Sequence, residues 1–125
     1  IKVGASTINL NENFTAYFSN YGKINVDIFA PGVDIYSSVP NDKYKFQDGT
    51  SMASPVVSGI ASLIMSYFPK LSAKKVKEII LKSGIDIDLK IGNLGSNKHF
   101  REYSKSGKLI NAYNALILAS KSKRE

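Results

Sequence analysis

The stretch DGTSMASPVVSGIASLIMSYFP, residues 48–69, decides how the rest of the sequence is read. Small hydroxyl and methyl side chains pass directly into an apolar run, and this spacing predicts a helix entered from a glycine turn. Val56, Val57, Ile60, Leu63, Ile64, Tyr67 and Phe68 point in most directions, the pattern of a helix buried inside a core. Ala53, Ser54, Ser58, Gly59, Ala61 and Ser62 let neighbouring backbones approach closely. Pro55 reads as a first-turn residue, where a missing donor costs little because those amides are unpaired anyway. Ser51 falls at the mouth of this helix. A hydroxyl there stands at the end of a rigid element, beside the positive end of the helix dipole and amides free to donate to a developing oxyanion. Gly49 leaves room for a carbonyl to approach. Gly49, Thr50 and Ser51 are therefore the candidate site turn, with Ser51 as candidate nucleophile. Alone, such a turn is equally the ordinary capped start of a helix.

Working outward, IKVGAS at the start reads as a short buried strand, followed by a polar loop through NENFT and a turn at SNYG. In INVDIFAPG, Val26, Ile28 and Ala30 alternate with Asn25, Asp27 and Phe29, giving a strand that stops at Pro31-Gly32. VDIYSSVP is a further strand, and NDKYKFQDGT a loop with a short extended return. After the apolar helix comes a surface helix. Ser72 is its N-cap, and Leu71 packs on Val76 as a staple. Val76, Ile79 and Ile80 face inward, Glu78 and Lys82 are spaced to pair, and Gly84 ends it. A third helix over residues 109–120 shows Leu109, Ala112, Tyr113, Leu116 and Ile117 at helical spacing. Between the last two helices, residues 85–108 read as a long surface excursion with a hairpin. The expected fold class is α/β, with mostly parallel strands, the buried helix after Thr50, and two helices packed on one side.

The 125 residues suit one ordinary domain, and 43% hydrophobic content supports a real core. A chain that opens inside a strand at Ile1 is expected to be part of something longer. There is no cysteine, which excludes disulfides, a thiol nucleophile and thiolate metal sites. Net charge is +7, concentrated in residues 70–82 and in the closing SKSKRE. Those lysines fall on the polar side of a helix without interleaved aromatics, so nucleic acid is not an expected partner. A basic module for anionic surfaces would rest on charge alone. The apolar stretch of residues 56–68 is too short and serine-rich to span a bilayer.

Other residues with chemistry are weaker candidates. The single histidine, His99, lies in the polar context SNKHFREY and reads as an exposed loop residue. A base placed after the nucleophile would suit an α/β-hydrolase, but that needs G-x-S-x-G, and GTSMA lacks the last glycine. Asp86 and Asp88 are solvated loop carboxylates or part of a cation site. Asp27 and Asp34 flank the APG turn and suggest structural roles. Asp48 either bonds to the site turn or caps its loop.

The string GTSMASP, followed by VVSG and an apolar helix, resembles the nucleophile segment of the subtilisin-like serine proteases, the subtilases. VGAS, FSNYG and VDIFAPGVDIYSS are similar to that family's strands before the nucleophile. GKLINAYNAL is similar to its closing helix, where Asn111-Ala112 matches a frequent pair. The similarity covers most of residues 1–120, and residues 85–105 are its least familiar part. One departure is that many subtilases carry His-Val after the proline, then Ala-Gly; here Val56, Val57, Ser58 and Gly59 stand there.

The resemblance implies that residues 1–125 are the C-terminal portion of a subtilisin-like catalytic domain. It implies a serine endopeptidase as the parent, acting through an acyl-enzyme on Ser51. The family's aspartate, histidine and oxyanion asparagine would lie upstream, so this chain alone is expected to be inactive. A non-catalytic fragment or inactive relative serving as an interaction or self-associating domain is the alternative. Expected partners are a protein or peptide substrate, and either the N-terminal half of the domain or a second copy. An extracytoplasmic location and calcium enter by resemblance only; no metal ligand can be assigned on this chain.

Overall fold

A computed structural model describes residues 1–92, 94, 95 and 97–122 of the chain. The last three residues of the basic closing run lie outside the described residues. Four strands form the main sheet in the order β1 (Val3–Ser6), β2 (Ile28–Pro31), β8 (Lys108–Leu109), β5 (Ile85–Asp86). β1 runs parallel to β2 in the register Val3↔Ile28 to Ser6↔Pro31, and β2 runs parallel to β8. β5 is antiparallel to β8. Two antiparallel pairs stand apart: β3 (Ile35–Val39) with β4 (Lys43–Gln47), and β6 (Lys90–Ile91) with β7 (Lys98–His99). Three helices complete a mixed α/β fold: α1 (Thr50–Tyr67), α2 (Ala73–Ser83) and α3 (Ala112–Ser122).

The sheet separates two cores. On the helix side, Ala5, Ile28 and Ala30 meet Ala53, Val57, Ile60 and Ile64 of α1, with Val76, Ile79 and Ile80 of α2 and Ala115 and Ala119 of α3. On the other side, Phe29 packs with Phe14, Val26, Ile91, Phe100 and Tyr103. Phe29 and Phe14 both meet the Phe100 ring edge-on, with centroids 5.0 Å apart in each pair. Thus β2 is buried on both faces, as parallel strands usually are. The alternation that set Phe29 among the polar positions is corrected: its ring anchors the second core. Residues 85–108 likewise do more than skirt the surface. They hold the expected hairpin, β6–β7, but also bury Ile91, Phe100 and Tyr103.

Helix α1 is buried along one stripe only. Ala53, Val57, Ile60 and Ile64 recur every three or four residues and face the sheet, while Leu63, Met65 and Tyr67 are exposed. Burial on nearly all sides therefore does not describe this chain. α2 matches its sequence pattern closely. Ser72 caps it by accepting from the Lys75 amide at 3.2 Å, and Lys82 Nζ lies 2.6 Å from Glu78 Oε1. α3 starts later than its apolar spacing suggests. Asn111 caps it, its Oδ1 accepting from the Asn114 amide at 2.8 Å, and Leu109 belongs to β8. The buried face is Ala115 and Ala119, with Tyr113 and Ile117 outside. Small side chains allow α3 to sit close on its neighbours, and that outweighs the size of Tyr113 and Ile117.

Asp27 fastens the entry to the sheet. Its buried carboxylate accepts from the Lys2 amide at 2.9 Å and from Lys77 Nζ of α2 at 3.0 Å. Burial pushes this carboxyl's pKa up, but the Lys2 hydrogen bond and the Lys77 ammonium outweigh it and hold the value below the ordinary one. A lowered native pKa means the contribution is fully present above the unfolded value of about 3.9 and fades as pH falls through the native value. Asp27→Ala should lower stability by roughly 1–3 kcal/mol, mostly through the Lys2 amide it leaves unpaired, since the Lys77 end is partly in water. Urea titrations at neutral pH and near pH 3 check this: the gap between wild type and variant narrows in acid. An equal gap at both pH values contradicts the assignment.

Candidate active site

The turn before α1 is built by two glycines. Gly49 is the N-cap with φ 156° and ψ 157°, a backbone region that side chains disfavour. Its amide donates to the Gly32 carbonyl at 2.8 Å. A Cβ placed on Gly32 would lie 2.6 Å from Ala5 Cβ, 2.8 Å from the Gly49 carbonyl oxygen and 3.2 Å from Ala53 Cβ. The end of β2, strand β1 and the first turn of α1 therefore meet at a distance that leaves no space for a methyl group. Asp48 locks the same junction, its Oδ1 accepting from the Asp34 amide at 2.8 Å. Asp34 is held at φ 54°, the left-handed region that Asp tolerates better than most residues. Asp48 thus ties two turns together, the capping role among its two readings. Asp34 and Asp27 are likewise engaged structurally.

Ser51 is the second residue of α1 and is exposed. Among the described residues its hydroxyl has no hydrogen-bond partner. The Met52 and Ala53 amides both donate to the Gly49 carbonyl, at 3.0 and 3.2 Å, so the helical ladder begins there. The Thr50 and Ser51 amides precede it and are available to an acceptor from outside. A Cβ on Gly49 would meet its neighbours only at ordinary contact distance, so the requirement for glycine there comes from its φ of 156°. The first turn carries no acidic side chain, and the 18-residue helix directs its positive dipole end to the same place.

Pro55 requires a correction. With α1 starting at Thr50, it falls in the second turn. The donor it lacks is the one that would have met the Ser51 carbonyl four residues back. Residue 51 is consequently outside the ladder at both its amide and its carbonyl.

His99 lies elsewhere. It sits on β7 with Nδ1 3.5 Å from Asp88 Oδ1, and it lines a cleft of about 320 Å³ with Asp86, Asp88 and Arg101. No hydrogen bond or ion pair joins it to Ser51 among the described residues. Asp86 pairs with Lys108 at 3.6 Å, and both aspartates are well exposed. No group of three or more acidic or histidine side chains comes together to hold a metal among the described residues. Sequence reading missed one feature, a depression of about 260 Å³ beside the turn, lined by Thr7, Asn13, Tyr17, Phe18, Val33 and Asp48. Its signal was the aromatic Tyr17, 82% exposed, which lies just before the SNYG turn and carries no reading of its own in the sequence.

Residues 1–109 match the model of the subtilase family, peptidase group S8. The cell wall-associated protease of Bacillus subtilis is 40% identical over 91 residues, covering 73% of this chain and 10% of that protein. Subtilisin DY of Bacillus licheniformis is 47% identical over 77 residues, covering 62% of this chain and 27% of that protein. Among solved structures, the A-subunit of the AB5 toxin from E. coli superposes with a TM-score of 0.75 at 26% identity, covering 95% of this chain and 37% of that one. The chain thus spans less than a third of the length of either curated relative.

The glycine junction makes a direct prediction. Gly32→Ala should lower the unfolding free energy by roughly 1–3 kcal/mol, because the added methyl must displace backbone. Urea titration measures it, and a change within about 0.5 kcal/mol would show that the junction is slack.

Proposed function

The chain belongs to the subtilase family of serine proteases, and on that premise we propose that Ser51 is the nucleophile of a subtilisin-like endopeptidase. One observation carries this reading: an exposed, unpartnered hydroxyl beside its own free amide at the start of α1. Ser51 Oγ attacks the scissile carbonyl carbon while its proton passes to a histidine. The tetrahedral oxyanion accepts a hydrogen bond from the Ser51 amide, a donor of a kind that typically contributes about 2.7–4 kcal/mol to transition-state stabilisation. Collapse breaks the C–N bond, the amine leaves with that proton, and water then hydrolyses the Ser51 ester. The histidine, its aspartate and a second oxyanion donor belong, in this proposal, to upstream residues of the parent protein.

The substrate class is protein or peptide. The similarity to a cell wall-associated protease supports an extracytoplasmic site of action for the parent. Among the described residues no helix is long and apolar enough to cross a membrane. A second reading, association with the N-terminal half or with another copy, is favoured by Leu63 and Tyr67, which lie four residues apart on one flank of α1 and are 38% and 68% exposed.

A fluorophosphonate probe tests the main reading. In the parent enzyme it should label Ser51 stoichiometrically, and Ser51→Ala should lower kcat by on the order of 10⁶. The isolated 125-residue chain should remain unlabelled and elute above its 13.7 kDa monomer mass. Labelling of a different residue in the parent contradicts the nucleophile assignment. Stoichiometric labelling of the isolated chain contradicts its dependence on upstream residues, and elution as a clean monomer contradicts the association.

A further inference from the structure

The turn that presents Ser51 is held by two hydrogen bonds on consecutive residues. The Gly49 amide donates to the Gly32 carbonyl at 2.8 Å, and Asp48 Oδ1 accepts from the Asp34 amide at 2.8 Å. One hydrogen bond alone is a pivot about which the chain can rotate. Two on neighbouring residues fix the peptide plane between them. Beyond that plane Gly49 has no side chain, so it offers little steric resistance to rotation. A tilt at residue 48 is therefore passed on to Thr50 and Ser51.

The Asp48 carboxylate stands where a ladder carbonyl would otherwise be. The hairpin register ends with Ile35 opposite Gln47, so the next position outward sets Asp34 opposite Asp48. There the Asp34 amide meets a side-chain oxygen, and the Asp48 backbone is released to turn toward α1. The bond is exposed, so water can replace the carboxylate on the Asp34 amide, and the net contribution to global stability is small. The body of α1 does not depend on it either, because Ala53, Val57, Ile60 and Ile64 are held in the core against the sheet. What the bond constrains is the short span from strand to helix, residues 48–51.

We propose that Asp48 is a positioning residue for the reaction at Ser51, its carboxylate oxygen setting, as a hydrogen-bond acceptor rather than as a charge, the angle at which the first turn of α1 faces the scissile carbonyl. The inference rests on the nucleophile reading of Ser51. Asp48 acts through the Asp34 amide and the Gly49 peptide, and it takes no proton. Attack requires Ser51 Oγ and the Ser51 amide to be placed together. A tilt of the turn misplaces both at once, and so costs rate rather than ground-state binding.

The test uses the full-length enzyme that contains this chain, as wild type, Asp48→Asn and Asp48→Ala. Asparagine keeps an oxygen acceptor at the same reach without the charge, and alanine removes it. The readouts are the rate and stoichiometry of fluorophosphonate labelling at Ser51, kcat and KM on one peptide substrate, and the thermal midpoint. Asp48→Ala should slow labelling and lower kcat by on the order of 10–100-fold, with KM and the labelled fraction close to wild type. Its thermal midpoint should fall by no more than about 4 °C. Asp48→Asn should recover most of both rates. Wild-type rates in Asp48→Ala, a rise in KM alone, or an Asp48→Asn enzyme as slow as Asp48→Ala would each overturn the proposal. So would a reduced labelled fraction that reacts at the wild-type rate, which marks support of folding only. A wild-type enzyme that fluorophosphonate fails to label at Ser51 would instead refute the nucleophile reading, and the positioning role with it.

Discussion

The contact between Gly32 and Gly49 is the constraint from which the site follows. Three backbones converge there: the end of β2, strand β1 through Ala5, and the first turn of α1 through Ala53. Because no side chain intervenes, the helix start is pressed against the sheet end, and the 2.8 Å bond from Gly49 to Gly32 fixes its angle. Ser51 follows two residues later. Its direction is set by rigid backbone rather than by its own side-chain contacts, so its hydroxyl can remain unpartnered and still be well placed. Pro55 extends the same logic by keeping the helical ladder off the Ser51 carbonyl.

Both faces of the sheet contribute to that rigidity. The stripe Ala53, Val57, Ile60 and Ile64 binds α1 to Ile28 and Ala30 from one side. From the other, Phe29 is locked between Phe14, Phe100 and Tyr103. Asp27 connects the start of β2 to the Lys2 amide and to Lys77 of α2, so the strand that ends at Gly32 is also held at its beginning. A site of this kind tolerates an exposed hydroxyl and open amides because its surroundings, not its own partners, determine its shape.

Much of this was legible from the residues, and for stated reasons. Local signals with a fixed geometry read correctly: the Ser72 cap, the Glu78–Lys82 pair and the turn at Gly49 that begins α1. The family likeness in GTSMASP rested on the same kind of short, position-locked chemistry. Features set by packing between distant segments did not read. Phe29 looked like the off-face of an alternating strand because its partners Phe100 and Tyr103 lie some 70 residues away. In α3 the eye follows the large side chains Tyr113 and Ile117, whereas close approach selects Ala115 and Ala119. Pro55 lies one turn deeper than a first-turn residue because, counted from Gly49, it is the sixth residue of α1. The breadth of α1 burial was also over-read, since apolar content alone cannot say which neighbours cover each side.

The most direct test of the central claim is a crystal structure of the parent enzyme carrying a phosphonate on Ser51. If the first turn of α1 presents a free amide to the reacting centre, a phosphonyl oxygen will accept from the Ser51 nitrogen at about 2.7–3.1 Å. The Gly49-to-Gly32 hydrogen bond will be unchanged. An adduct whose oxygens all point away from that nitrogen, or a Ser51 amide satisfied by another protein group, would contradict the account.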